Sequence, residues 1–157
     1  MSQTLQQELQ TLNRLYKRVD KIYSGLASRF GLTDTAFWVL YAISRAEEPL
    51  TQNDLCSEWF YPVQTINSAV SNLLKKGLVR LEVIPGTRNR KNILLTDEGK
   101  ALASSTIQYV DEIERNAFCE FTEEERELYL SLFKRHLENL EREEKRVMDS
   151  IKEGTTS

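Results

Sequence analysis

Apolar residues recur every three or four positions along most of the chain, a period that predicts a largely helical protein. The first such stretch covers 5–30 and predicts one long amphipathic helix of about seven turns, which Gly31 is suited to end. Thr33 is placed to cap a second helix, whose apolar face contains Phe37 and Leu40.

A third, short helix is expected to begin at Thr51, because Thr51-Gln52-Asn53-Asp54 resembles a capping box. This helix should end near Trp59, and Pro62 suits the first turn of a fourth helix. Gly77 would end that fourth helix, and its predicted buried stripe consists of Val63, Ile66, Val70, Leu73 and Leu74.

After Gly77 the apolar period changes from that of a helix to that of a strand. Residues 78–84 place Val79, Leu81 and Val83 on one face of a half-buried strand. Residues 85–90 favour a turn, and a second strand through 93–95 completes a hairpin. Two further long helices are expected, one capped by Thr96 and the other beginning with a capping box at 122–125.

The predicted fold class is therefore mainly α with a small β-hairpin. With 157 residues the chain fits a single domain. We divide it into an N-terminal helix (1–32), a lobe of short helices and hairpin (33–98), two C-terminal helices (99–152) and a disordered tail (153–157).

The composition narrows the range of functions. No run of 18 apolar residues exists, and the N-terminus MSQTLQQELQ lacks the pattern of a signal peptide, so we expect a cytoplasmic protein with no membrane partner. Cys56 and Cys119 match no zinc spacing, and the lone His136 has no companions for a metal site. We find no glycine-rich phosphate loop and no visible nucleophile–base pair, and we therefore expect neither an enzyme nor a cofactor.

The fourth helix is unusual because its face opposite the apolar stripe lacks charge until near its end. That face carries Gln64, Thr65, Asn67, Ser68, Ser71, Asn72 and then Lys75. Residues 62–96 hold six basic side chains and one acidic one, a net charge of +5 in a chain of net charge −3. The remainder must carry −8, which favours a basic face that binds a polyanion.

Together these elements indicate a winged helix-turn-helix lobe between long terminal helices. In that motif the second helix of the pair enters the major groove, where Gln, Asn, Ser and Thr bond to base edges. Arg88 and Arg90 in the hairpin turn are candidates for the minor groove, and Lys91 and Lys75 for phosphates. Taken alone, the polar face and the hairpin are each explained by simple solvation; their combination favours double-stranded DNA as partner. The alternative is a non-catalytic winged-helix protein that serves protein interaction or acts as a scaffold.

From Gly31 to about Ala101 the sequence also resembles the MarR (multiple-antibiotic-resistance regulator) family. The resemblance is carried by Gly31-Leu32-Thr33, Leu50-Thr51-Gln52-Asn53-Asp54-Leu55, Gln64-Thr65-Ile66-Asn67, Leu73-Leu74-Lys75-Lys76-Gly77-Leu78-Val79 and Leu95-Thr96-Asp97-Glu98-Gly99. It implies a homodimer built from the terminal helices, repression from an inverted-repeat operator, and release by a small aromatic or amphipathic effector. The apolar stripes of the terminal helices independently favour a two-fold dimer, with an intramolecular bundle as the alternative.

Two departures from the family pattern involve three positions. Many members carry an acidic residue and an arginine on the wing at positions that correspond here to Thr87 and Asn89. Many also carry an arginine where this chain has Ser68. We therefore expect weaker contacts from the recognition helix and greater dependence on the wing.

Sensing residues are harder to predict. Tyr16, Trp38 and Tyr41 are candidates for an effector pocket, although aromatic residues at helical spacing are more often core. Redox-sensing members typically carry their cysteine in the first helix, where this chain has none. We interpret Cys56 as a core thiol and place Cys119 at the dimer interface.

Overall fold

The computed structural model describes residues 3–154, with side chains for residues 3–152. The helices are α1 (Gln3–Arg29), α2 (Asp34–Arg45), α3 (Gln52–Trp59), α4 (Val63–Lys75), α5 (Asp97–Cys119) and α6 (Glu123–Gly154), and the strands are β1 (Leu50–Thr51), β2 (Val79–Val83) and β3 (Lys91–Leu95). The predicted fold class, mainly α with a hairpin, is confirmed. Of the predicted tail, 153 and 154 belong to α6, and 155–157 lie outside the described residues. No helix in the described range is long and apolar enough to cross a membrane.

The chain divides into two compact units, Met1–Tyr109 and Val110–Ser157. The first contains the helix-turn-helix and the sheet, and the second contains the end of α5 and all of α6. Our division of the chain into a lobe and two flanking helical segments stays a prediction.

Glycines in the left-handed conformation end α1 and α4, as predicted. Gly31 has a φ of 66° and Gly77 a φ of 68°. At each end two backbone bonds close a Schellman motif, and in α4 these join Gly77 N to Leu74 O (2.9 Å) and Leu78 N to Leu73 O (3.0 Å). Each motif turns the chain sharply into the next element.

The predicted side-chain caps also form. Thr33 Oγ1 accepts from Ala36 N at the start of α2. At α3, Thr51 N donates to the Asp54 carboxylate (2.8 Å), and Asp54 N donates to Thr51 Oγ1 (3.3 Å). Pro62, however, lies at the N-cap of α4 rather than inside its first turn, with its carbonyl accepting from Thr65 N.

The sheet has three antiparallel strands in the order β1-β3-β2. The predicted hairpin pairs Val79 with Leu95 and Val83 with Lys91. Strand β1, which pairs Leu50 with Ile93, was not predicted. Two residues carry no readable period, so this strand exists only through its pairing with β3.

The core of the first unit lies between α2, α3, α4 and the sheet. Its largest fully buried side chains include Phe37, Leu40, Leu55, Ile66, Leu73 and Ile93. The predicted stripe was wrong at Val63, which is 58% exposed, and at Leu74, which is 37% exposed. Val83 is likewise 58% exposed because it lies at the outer end of β2, beyond the core.

The second unit exposes many apolar side chains along α6. Leu128, Leu132, Leu137, Leu140 and Ile151 are each at least 44% exposed. Four aromatic side chains, those of Phe118, Phe121, Tyr129 and Phe133, form a chain of ring contacts with centroids 6.0 to 6.1 Å apart. Exposed apolar surface on this scale is typical of an interaction face.

Candidate nucleic-acid interface

The predicted recognition helix separates its polar and apolar residues cleanly. Its buried side is formed by Ile66, Ala69, Val70 and Leu73. On the opposite side, Gln64, Asn67, Ser68, Ser71 and Lys75 are exposed, and Thr65 and Asn72 are half-buried. Because a helix repeats every 3.6 residues, all seven candidates share one face.

Two polar groups on this face have distinct hydrogen-bonding states. The Ser68 hydroxyl donates to the Gln64 carbonyl within the helix (2.9 Å), and its oxygen remains able to accept another bond. The Asn72 Oδ1 atom is buried and has no hydrogen-bond partner among the described residues. A buried carbonyl oxygen without a partner costs folding free energy.

The start of α2 borders the same face. Thr33 and Thr35 line a groove together with Gln64, Thr65 and Ser68 of α4. Neither threonine is among the candidates that the sequence predicts. No local signal could have included them, because their proximity to α4 comes from the packing of the two helices.

The wing, which is the hairpin of β2 and β3, turns at Pro85 and Gly86. Gly86 has a φ of 78°, and Thr87 N donates to the Ile84 carbonyl (3.2 Å), as in a type II turn. The Thr87 hydroxyl donates to the same carbonyl (2.8 Å). The turn is thus fixed by its own backbone and one threonine.

The two wing arginines lie in different surroundings, although both are exposed. Arg90 and Lys91 line a cleft of about 320 Å³ with Gln52 and Asn53 at the start of α3, and Arg88 is not part of that cleft. Arg90 therefore lies beside the start of α3, whereas Arg88 does not line this cleft. The sequence alone predicts equivalent roles for the two arginines.

Neighbouring groups shift the pKa values of Asp54 and Tyr61. The Thr51 hydroxyl and backbone bonds lower the pKa of Asp54 below its ordinary value, with a smaller contribution from the charge of Arg90. Burial, aided by the negative charge of Asp34, raises the pKa of Tyr61. On β2, Arg80 pairs with Glu82 at 2.6 Å. Both of these side chains are more than half exposed, so the pair adds little stability.

The candidate effector residues belong in part to one aromatic cluster. Trp38 contacts Tyr23, Tyr41 and Trp59, with ring centroids 4.9 to 5.7 Å apart. Tyr16 lies half-buried on α1. Trp59, which we had assigned only to the end of α3, brings an indole Nε1 that is buried without a hydrogen-bond partner in the described chain.

Metal-ligating residues do not converge. Within residues 3–154 no group of three or more His, Cys, Asp or Glu side chains is arranged to hold a metal ion. Cys56 is half-buried and Cys119 exposed, and both are free thiols.

Comparison with known proteins connects this geometry to a family. A family model described as the MarR family matches residues 30–88, which run from the end of α1 into the wing. Over this region the chain is similar to the MarR family of winged helix-turn-helix transcriptional regulators.

Particular MarR-family relatives match well beyond the lobe. The HTH-type transcriptional regulator PecS of Dickeya dadantii (strain 3937) is 29% identical over 118 residues, which cover 74% of this chain and 71% of PecS. The Staphylococcus aureus MepR–DNA complex has a TM-score of 0.73 and 24% identity, covering 83% of this chain and 95% of MepR. A MepR structure in a DNA-binding conformation has a TM-score of 0.71 and 25% identity, covering 82% and 98% of the two chains.

Proposed function

We propose that this chain is a MarR-family regulator, a cytoplasmic repressor that binds an inverted-repeat operator as a homodimer and is released by a small molecule. The observation that carries the proposal is the face of α4, where seven polar side chains, only one of them charged, lie opposite a buried stripe. Solvated helices normally collect long charged side chains, whereas this face suits close approach to a polar surface. The wing adds positive charge beside it.

Base recognition follows from the groups on α4. Gln64 and Asn67 can each bond to adenine N6 and N7, and the Ser68 oxygen can accept from a base amino group. Lys75, at the end of α4, is suited to a phosphate. Arg90 and Lys91 beside α3 are likewise suited to the DNA backbone, and the exposed Arg88 is suited to the minor groove. MepR, which shares the fold, has been solved in complex with DNA, and this supports DNA binding by the present chain.

Homodimerisation is supported by the exposed apolar residues of the terminal helices. On α1, Leu5, Leu9, Leu15, Val19 and Ile22 are 40% to 55% exposed, and α6 adds a longer series. Monomeric proteins rarely leave such surface in water. A two-fold arrangement would bury it and would present two recognition helices to the two halves of an inverted repeat.

Release by an effector is supported by the aromatic cluster around Trp38. An aromatic or amphipathic molecule could pack against Trp38 and Tyr41, and a polar group on it could accept from the buried Trp59 indole N–H. Tyr16 is a further candidate from α1. Binding there would have to favour a second arrangement of the dimer in order to weaken DNA binding.

Selection on a random duplex pool at low salt, followed by sequencing, tests the function. A regulator of the proposed kind enriches a two-fold-related motif with half-sites about one helical turn apart, and its affinity falls steeply as salt rises. A folded protein that enriches no motif at low salt would favour the protein-interaction alternative. The recovered motif then serves as the probe for the effector: an aromatic acid or amphipathic compound should lower affinity for it.

The dimer is tested separately. Leu132→Glu places a charge on the exposed stripe of α6 and should convert the protein to a monomer in analytical ultracentrifugation. Ser131→Glu, at an exposed neighbouring position, is the matched control and should remain dimeric. A wild-type protein that sediments as a monomer at micromolar concentration would contradict the proposal.

A further inference from the structure

Phe60 combines a strained backbone with an exposed side chain. It lies at the C-cap of α3 with φ 54° and ψ 26°, in the left-handed region. Among the described residues other than glycine, Phe60 alone has a positive φ. Its side chain is 90% exposed. The turn of the helix-turn-helix is therefore built on a residue type that disfavours the required conformation.

Neither the turn nor the core explains a phenylalanine here. Glycine or asparagine would adopt the left-handed conformation with less strain. A side chain that is 90% exposed gains almost no burial energy in return. The ring must therefore act on something outside the described chain, or else it is merely tolerated.

The position of Phe60 identifies what that partner would be. Two residues later, Pro62 caps α4, and exposed Val63 begins it. Phe60, Pro62 and Val63 thus form an apolar patch of exposed residues in the chain segment that directly precedes Gln64, where the polar face starts. Under the proposed function, this end of α4 enters the major groove, whose base edges offer one apolar group, the C5-methyl of thymine.

We propose that Phe60, supported by Val63, contacts a thymine C5-methyl group in each operator half-site. The inference rests on the proposed DNA binding, and it adds a specificity residue outside the polar face. The patch suits one or two methyl groups. A stable protein partner would need a much larger apolar area than these three side chains offer.

Replacing thymine by deoxyuracil in the selected operator removes only the methyl group and tests the proposal. Each thymine is replaced in turn, symmetrically in both half-sites. Wild-type protein should lose roughly fivefold to tenfold in affinity at one position, which is the scale of one lost apolar base contact. The Phe60→Asn variant should bind the thymine operator more weakly than the wild type does. It should bind the thymine and deoxyuracil operators with equal affinity. Its melting temperature should equal or exceed that of the wild type, because Asn tolerates the backbone conformation.

Two further variants sharpen the result. Phe60→Leu keeps an apolar side chain and should retain part of the methyl dependence. Val83→Thr changes another exposed apolar residue, 58% exposed on β2, and should leave the methyl dependence as in the wild type. An operator in which no deoxyuracil replacement weakens wild-type binding overturns the inference, as does a Phe60→Asn variant with undiminished methyl dependence. Failure of the wild-type protein to bind any duplex would instead overturn the proposed function.

Discussion

Replacing Gly99 by alanine should destabilise the protein, although alanine is the better helix former. Gly99 lies in the first turn of α5, and a Cβ atom built on it would lie 1.8 Å from the Leu78 carbonyl oxygen and 2.9 Å from the Leu78 carbonyl carbon. Backbone atoms cannot rotate away from such a clash as the end of a flexible side chain can. The start of α5 and the link between α4 and β2 would have to separate by roughly 1.5 Å to restore ordinary contact.

Separation of these two segments would break the bonds that join them. Thr96 N donates to the Leu78 carbonyl (3.1 Å), and the Thr96 hydroxyl donates to the Gly77 carbonyl (2.6 Å). Two lost hydrogen bonds are worth about 2 kcal/mol, and forcing a methyl group into a packed site adds about 1–3 kcal/mol. The higher helix propensity of alanine offsets about 1 kcal/mol of this loss. We therefore expect a net loss of about 2–4 kcal/mol in the free energy of unfolding.

Urea denaturation followed by circular dichroism measures this change. The protein concentration must be the same for all variants, because association would contribute to apparent stability. Gly25→Ala is the matched control: Gly25 lies inside α1, and apart from the backbone of its own helix no atom lies within 4 Å of the position that an alanine methyl group would take. That variant should be as stable as the wild type or up to about 1 kcal/mol more stable. A Gly99→Ala protein within about 0.5 kcal/mol of the wild type would refute the reasoning, because the segments would then tolerate separation.

Three further predictions concern the cap of α3 and the DNA interface. Asp54→Asn should lower the free energy of unfolding by about 1 kcal/mol near neutral pH. The pKa of Asp54 is depressed in the folded protein. The stabilisation from its carboxylate is therefore complete above the unfolded pKa of about 3.9 and is lost as pH falls through the folded pKa. Thermal melts from pH 7 to pH 3 should therefore converge for the two proteins, and a constant difference would contradict this. Gln64→Ala should weaken binding by about 1–3 kcal/mol on the selected operator and little on random DNA, as measured by fluorescence anisotropy. Arg88→Ala with Arg90→Ala should weaken binding to both DNAs alike and reduce the salt slope by about 1–2; equal losses on both DNAs for Gln64→Ala would contradict the division of roles.

Helix ends could be predicted from sequence because their causes are local. The caps at Thr33 and Thr51 and the glycines at 31 and 77 act through bonds within four or five residues. The same holds for Thr122, where Glu125 N donates to the Thr122 hydroxyl (3.2 Å). The apolar period likewise identified the buried face of α4, since Ile66, Val70 and Leu73 are all buried.

The sequence could predict candidate site residues that share one face of a single helix, but not those that other elements bring to that face. The seven polar residues of α4 share a face because the helix period alone requires it. Thr33 and Thr35, which border that face, come from a helix some thirty residues earlier. The separate surroundings of Arg88 and Arg90 depend on where α3 lies relative to the wing.

Tertiary packing decided what no local pattern contains. Strand β1 is too short for a period and exists through its pairing with β3. Val63 and Val83 match the apolar period of their elements, but both are exposed because they lie at element ends that extend beyond the core. Gly99 looks like an ordinary glycine in a helix until the Leu78 carbonyl is found where its side chain would lie. The sequence by itself determined the helices, their ends and their faces, since those depend on neighbours along the chain. Which faces meet, and how closely, depended on contacts between segments far apart in sequence.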